Sequence, residues 1–129
     1  MKWYGSQVKN KLDLASLSGL VAAAITLENE IVKNIHGMGI IDTGRYVGSI
    51  TYRAYKEKDA VGSPAQASDG VQSIPSKWEA FVGTNVSYAP YLEYGAGGRP
   101  PRPAIRKAFD ESKGKLISVF SRQFAKMAI

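Results

Sequence analysis

Apolar residues in the first third of the chain recur at intervals of three and four positions. The series comprises Leu17, Leu20, Val21, Ala24, Leu27, Ile31 and Ile35. Such spacing places the side chains along one stripe of an α-helix. His36 in the last turn and Gly37 just after it supply the cation and the C-cap signal that commonly end a helix. The pattern predicts a long helix over residues 13–36.

A period of two replaces the helical spacing after a turn signal, Asp-Thr-Gly at 42–44. Over residues 49–55 polar and apolar side chains alternate, as expected of a half-buried β-strand. Residues 78–83 indicate a second strand that ends at a turn, and residues 88–94 form a third short apolar segment. Together these segments predict a small antiparallel sheet.

The segment Lys56 to Lys77 between the first two predicted strands is rich in glycine, proline and serine and has few large apolar residues. Such a composition buries too little surface to hold a segment in place. The segment is predicted to be a long mobile loop or an extended hairpin. Because compact domains rarely keep long loops without a use, it is expected to become ordered against a neighbouring subunit.

Helical spacing returns near the C-terminus. The apolar residues that show it are Ile105, Ala108, Phe109, Leu116, Phe120, Phe124 and Met127. Pro103 suits the first turn of such a helix. The chain is therefore predicted to be one α+β domain over residues 1–129, with a long N-terminal helix, a small antiparallel sheet that carries the loop, and an amphipathic C-terminal helix.

Length and composition narrow the class of protein. A chain of 129 residues has the size of one domain, and the absence of cysteine excludes disulfides and thiolate chemistry. The longest uncharged apolar run, Leu20 to Leu27, is far shorter than the roughly 20 residues that cross a bilayer. The sequence therefore predicts an intracellular protein without a membrane span.

The charge balance leaves two interpretations open. A net charge of +6 and a pI near 9.6 suit an anionic partner such as nucleic acid. The cations are spread from Lys2 to Lys126 without a continuous run, which also fits the solvated faces of helices. A small basic protein that binds DNA or RNA is thus an alternative function.

No motif for catalysis, metal binding or cofactor binding stands out. His36 is the only histidine, and no recognised motif places a serine beside it, so we expect it to complement the C-terminus of its helix. The acidic residues lack the spacing of a calcium loop. The glycines of 95–98 begin like a dinucleotide loop, but Pro100 stands where the third glycine belongs. These glycines are expected to permit a turn and a close approach to another backbone.

Three tyrosines, Tyr88, Tyr91 and Tyr94, lie three positions apart with Glu93 among them. Such amphipathic aromatics can stack on bases or fill a protein interface, and core packing with one contact face is the simpler interpretation. Glu93 has no evident second carboxylate for acid–base hydrolysis. We therefore predict no enzymatic activity and no small-molecule substrate.

Three blocks of sequence together resemble one protein family. They are DTGRYVGSI at 42–50, VGTNVSYAPYLEYG at 82–95 and RPPRPAIRKA at 99–108. In this order, with one helix before them and one after, they resemble the neck, or tail-completion, proteins of siphophages, the family typified by the tenth gene product of a lambdoid coliphage. The resemblance covers nearly the whole chain. Tyr46, where the family prefers an aliphatic residue, and the glycine-rich turn at 95–98 depart from its pattern.

The resemblance implies a structural subunit of the head–tail junction, present in the virion and made in the host cytoplasm. Its expected partners are further copies of itself in a ring, expected to be a hexamer, the tail terminator and the head-side connector or stopper, with packaged DNA nearby. The motif positions that the resemblance implies for structure and interfaces are Thr43, Gly44, Arg45, Ser49, Gly83, Tyr88, Ala89, Tyr91, Glu93, Gly95, Arg99, Pro101 and Pro103.

Overall fold

Two long helices and a small sheet make up most of the described chain. The computed structural model describes residues 5–39, 44–55, 61–63, 69–95, 97–98 and 100–128, with side-chain burial given between residues 13 and 127. The elements in chain order are α1 (Gly5–Gly37), α2 (Arg45–Ser49), β1 (Thr51–Ala54), β2 (Val61–Gly62), β3 (Ala80–Gly83), α3 (Ala89–Tyr94) and α4 (Ala104–Ala128). This arrangement is the α+β fold that the sequence predicts.

α1 and α4 pack against each other as an antiparallel pair. Near one end, the side-chain amide of Gln123 donates to Ser18 Oγ at 2.8 Å, and near the other, Asn34 Nδ2 donates to the carbonyl of Ala104 at 3.2 Å. A Cβ added at Gly19 would lie 2.9 Å from Cδ2 of Phe120, too close for a real contact. Glycine at this position therefore lets the two helices approach closely.

The sheet is antiparallel, with strand order β2-β1-β3. Thr51 pairs with Gly83 and Ala54 with Ala80, so β1 lies in the middle of the sheet. The strands predicted within 49–55 and 78–83 are confirmed. Thr51, a polar member of the predicted alternation, is 2% exposed, and its Oγ1 accepts a hydrogen bond from the backbone N–H of Val71 at 2.8 Å.

The third predicted strand is wrong, because Tyr88 begins a turn of helix. α3 spans Ala89–Tyr94 and carries Pro90 in its first turn, where a missing N–H costs no hydrogen bond. The intervals of three between the tyrosines are helical spacing, so their assignment to a strand was wrong. Ser49 is likewise the last residue of α2 and does not begin a strand.

The described parts of the segment between Lys56 and Lys77 include secondary structure. β2 pairs with β1, and Gly70 forms an isolated antiparallel bridge with Thr84. For these residues the structure agrees with an extended hairpin, one of the two predicted alternatives. Residues 56–60 and 64–68, on which the mobile-loop prediction also rests, lie outside the described residues.

The core lies where the C-terminal half of α1 meets the start of α4. Its buried members are Ile31, Ile35, Tyr46, Ile50, Ala89, Ala104 and Ala108. Phe109 was predicted on the apolar stripe of α4 but is 48% exposed. The buried face of α4 follows Ala104, Ala108 and Ser112 at intervals of four, and Phe109 lies one residue, about 100°, beyond it.

By length and composition alone, α1 from Asp13 to Gly37 is apolar enough to cross a membrane, with a mean hydropathy of 1.3. The core helix of a soluble protein meets the same criterion. Ile31 and Ile35 are fully buried, and Glu30 lies 2.7 Å from the ammonium of Lys115 on α4. These contacts give the second half of α1 the environment of a core helix.

Candidate functional site

The three sequence blocks that carry the family resemblance meet at one end of the helix pair. The first block contributes Gly44, α2 and Ile50, the second contributes β3 and α3, and the third contributes the start of α4. Gly44 has a φ of +74°, which a residue with a side chain rarely adopts, so the chain can turn into α2. We call the contact region of these blocks, together with the segment at Asp69, the motif junction.

A chain of hydroxyl hydrogen bonds joins the first two blocks. Ser49 Oγ donates to the carbonyl of Tyr46 at 2.6 Å and lies 2.6 Å from Thr84 Oγ1. Thr84 Oγ1 also lies 3.4 Å from the carbonyl of Asp69, to which it can donate, so either hydroxyl can supply the proton of the Ser49–Thr84 bond. Thr84 Oγ1 in turn accepts from the backbone N–H of Val86 at 3.1 Å. The 1% exposed Ser49 hydroxyl is thus fully used in holding α2 to the turn after β3.

Asp69, which belongs to neither block, also joins the first two blocks. Arg45 donates to both of its carboxylate oxygens, from Nε at 3.0 Å and from Nη2 at 2.9 Å. The carbonyl of Asp69 accepts from the backbone N–H of Asn85 at 2.7 Å. The hydrogen bond from Arg45 lowers the pKa of Asp69 below its ordinary value. Sequence reasoning missed Asp69, for which the only signal was an Asp-Gly turn pair.

Glu93 joins the second block to the third by capping α4. Its Oε1 accepts from the backbone N–H of Ile105 at 2.8 Å, and its Oε2 accepts from that of Arg106 at 3.3 Å. The first turn of α4 contains no acidic residue, and Pro103 before it has no side chain that can cap. A carboxylate at this position satisfies free N–H groups and complements the positive end of the helix. The geometry therefore assigns Glu93 a capping role.

Tyr46 fills the centre of the junction. It is 1% exposed, and its ring centroid lies 6.2 Å from that of Tyr88. Its hydroxyl has no hydrogen-bond partner within the described part of the chain. Burial is the largest cause that raises the pKa of Tyr46 above its ordinary value. Tyr46 therefore packs in the core through its ring, and its hydroxyl is a buried polar group.

The glycines after α3 are needed for their backbone angles. Gly95, Gly97 and Gly98 have φ values of +81°, +58° and +79°. A Cβ at Gly97 or Gly98 would meet nothing within 4 Å. The predicted turn is confirmed, whereas the predicted close approach to another backbone is wrong for Gly97 and Gly98 as far as the described residues extend.

The predicted motif positions divide into buried, partly exposed and exposed groups. Ser49 and Ala89 are buried. Those of intermediate exposure are Gly83, Tyr88, Glu93, Gly95 and Pro103. Those exposed are Gly44, Arg45, Tyr91 and Pro101. Thr43 and Arg99 lie outside the described residues.

The other end of the helix pair leaves large apolar side chains in solvent. Leu14 and Ile25 of α1 are 61% and 41% exposed, and Ile117 and Met127 of α4 are 68% and 42% exposed. The residues buried between the helices here are small, such as Ala15 at 0%. We call this region, residues 13–25 with 113–128, the open half of the helix pair. A monomer gains nothing from exposed apolar surface of this kind.

Among the described residues, no three of histidine, aspartate and glutamate lie close enough together to hold a metal ion. His36 is exposed at the end of α1. Comparisons with protein-family models, with curated proteins and with solved structures found no match to this chain.

Proposed function

We propose that this chain is a structural, non-enzymatic subunit of the bacteriophage head–tail junction, a neck or tail-completion protein that forms a homo-oligomeric ring. Its partners in this proposal are further copies of itself, the tail terminator and the head-side connector or stopper. A hexameric ring is expected from the symmetry that the family resemblance implies.

The observation that carries the proposal is the packing of the three resembling blocks into one junction. Ser49 bonds Thr84 across the first two blocks, and Glu93 caps the helix that the third block begins. These bonds place the three blocks in direct contact in the folded chain. Their mutual hydrogen bonds support the treatment of the blocks as one structural unit.

The exposed apolar side chains of the open half are a second observation that supports assembly. Its exposed side chains lie on both helices, with Leu14 on α1 and Ile117 on α4. In a closed ring of identical subunits, each copy buries the same pair of patches. Apolar patches on a small domain are typical of surfaces that such contacts cover.

A charge placed in the open half tests the proposal. Ile117 is 68% exposed, so Ile117→Glu should leave the monomer folded but prevent subunits from packing through this surface. Asn29→Glu adds the same charge at an exposed position of α1 outside the open half and serves as the matched control. Light scattering after size exclusion measures the mass of each oligomer, and circular dichroism confirms folding.

The phage assay gives the functional outcome. Phage that carry Ile117→Glu should accumulate filled heads and separate tails, whereas the control variant should yield normal particles. Normal joining of heads and tails with a deletion of the whole gene would contradict the proposed function. Genes for a head–tail stopper and a tail terminator on either side of this gene would strengthen it.

A further inference from the structure

The start of α4 carries a concentration of positive charge that folding does not need. Arg102, Arg106 and Lys107 are all exposed, and the first turn of the helix has no acidic residue. Cations at a helix N-terminus are unfavourable, because this end of the helix is itself positive. Glu93 offsets part of this charge from α3 by accepting the first N–H groups of α4. The first N–H groups of α4 are thereby occupied, and the side chains of Arg102, Arg106 and Lys107 remain available to a ligand.

These three cations have no ion pair within the described residues. By contrast, Arg45 lies 2.9 Å from Asp69, and Lys115 lies 2.7 Å from Glu30. The charge at the start of α4 is therefore not neutralised by the described part of the chain. Such a patch raises the local concentration of anions and attracts an anionic partner.

One exposed tyrosine, Tyr94, lies beside these cations, and Tyr91 lies about one turn away from it in α3. Tyr91 and Tyr94 of α3 are 64% and 73% exposed. The guanidinium of Arg106 lies over the ring of Tyr94, 5.6 Å from its centroid. This cation–π contact limits the freedom of the guanidinium while its N–H groups can still reach a ligand. An arginine held in this way is preorganised to bind the oxygens of a phosphate.

We propose that this basic–aromatic patch, Tyr91, Tyr94, Arg102, Arg106 and Lys107, binds the phosphate backbone of duplex DNA without sequence preference. One face of Tyr94 is covered by Arg106, which favours phosphate contact by the guanidinium over stacking of an unpaired base. Arginine, lysine and tyrosine side chains are common partners of DNA phosphates. The inference concerns the free subunit and does not depend on the proposed role in the neck.

The spacing of the three cations within the patch fits a DNA backbone. Arg106 and Lys107 are neighbours in α4, and Arg102 lies just before this helix. Duplex DNA presents a negative charge about every 1.7 Å along its axis, so neighbouring phosphates can meet side chains that lie this close together.

Fluorescence anisotropy with a labelled 30-base-pair duplex tests the proposal on the full chain. Three phosphate contacts predict that the logarithm of the binding constant falls against the logarithm of salt concentration with a slope of about −2.7. The triple variant R102Q/R106Q/K107Q should bind at least about tenfold more weakly and lose most of that slope. The control K33Q/K77Q/K113Q changes the net charge equally at exposed cations outside the patch, and should bind almost as the unchanged protein does. Circular dichroism of both variants verifies that each is folded.

Two further measurements separate the alternatives. Tyr94→Ala should weaken binding less than the triple change, because it frees the guanidinium of Arg106 without removing it. A single-stranded probe of the same length should bind more weakly than the duplex, and poly-glutamate at equal charge should not displace the duplex. Equal losses in the two triple variants, tighter binding of the single strand, or displacement by poly-glutamate would each overturn the assignment.

Discussion

The two halves of the α1–α4 helix pair differ in how much apolar surface they bury. In the half next to the motif junction, Ile31 and Ile35 are 0% exposed. In the open half, Leu14 is 61% and Ile117 is 68% exposed. The first half is covered by α2, the sheet and α3, whose Tyr46, Val82 and Leu92 pack on the core.

The difference shows that two helices alone cannot enclose large side chains. The open half places small residues at the helix contact, with Ala15 at 0% exposure and Gly19 against Phe120. Close approach of the backbones leaves the larger side chains pointing to the sides, and elements beyond the pair must cover them. In the junction half the same chain supplies that cover. In the open half we propose that a neighbouring subunit does.

The largest expected effect is that of a truncation before Lys113. It removes the second half of α4, including Leu116, Phe120 and Phe124, which are partly buried. At about 1.5–3 kcal/mol for each such side chain if fully buried, the loss approaches the stability of a small domain. The truncated protein should be insoluble or unfolded, as measured by circular dichroism and by the soluble fraction after expression. A soluble, assembled truncation would show that the open half is dispensable.

A matched pair of alanine substitutions sharpens the contrast between the halves. Ile31→Ala leaves a cavity in the core and should lower the free energy of unfolding by about 2–5 kcal/mol. Leu14→Ala removes a side chain that is mostly in solvent and should change it by less than about 0.5 kcal/mol in the monomer. Urea denaturation at low protein concentration measures both. A large effect of Leu14→Ala under these conditions would mean that the open half is already covered in the free subunit.

The long helices and two of the strands could be predicted because their signals are local. Apolar spacing over many turns identified α1 and α4. The alternation of polar and apolar residues identified β1, in which the buried polar residue Thr51 is an exception. That exception depends on a hydrogen bond from Val71, twenty positions away in the chain. A buried hydroxyl is acceptable only when such a partner exists, so alternation alone cannot predict its position.

Sequence patterns selected several residues of the motif junction but not the hydrogen bonds between them. The family resemblance selected Ser49 and Glu93, whereas their partners, Thr84 and the first N–H groups of α4, are fixed only by tertiary packing. Asp69 was missed for the same reason, since its partner Arg45 lies in another block. α3 was misassigned because six residues carry too few helical turns for the spacing to decide against a strand.

A smaller effect should follow from the loss of the cap on α4, within the junction half. Glu93→Ala removes both acceptors and should cost about 0.5–2 kcal/mol, as other lost N-caps do. Glu93→Gln keeps one acceptor oxygen but loses the charge and should cost less. Thermal unfolding measures the order of the two variants. A catalytic activity that disappears in Glu93→Gln without loss of stability would show that Glu93 does more than cap α4.

The smallest expected effect concerns two carboxylates of α1 in the half next to the junction, and its sign depends on pH. Burial raises the pKa of Glu28 above its ordinary value of 4.5, partly opposed by the hydrogen bond that Ser63 donates to it. Because the folded state favours the protonated acid, this contribution to stability is fully present below pH 4.5 and is lost as the pH rises through the folded pKa. Glu28→Gln keeps an acceptor for Ser63 without a charge to desolvate, so it should be more stable than the unchanged protein at pH 7.

Glu30, two residues further along α1, should show the opposite sign. The hydrogen bond from Lys115 lowers the pKa of Glu30 below 4.5, so its contribution is present above that pH and is lost as the pH falls through the folded pKa. Glu30→Gln should therefore be destabilised at pH 7 and approach the unchanged protein at pH 3. Melting temperatures at the two pH values should differ by about 1–3 °C in each case. If both variants respond to pH in the same direction, Ser63, which follows β2, does not cover Glu28 in solution. The sheet would then shield less of the junction half than the structure indicates.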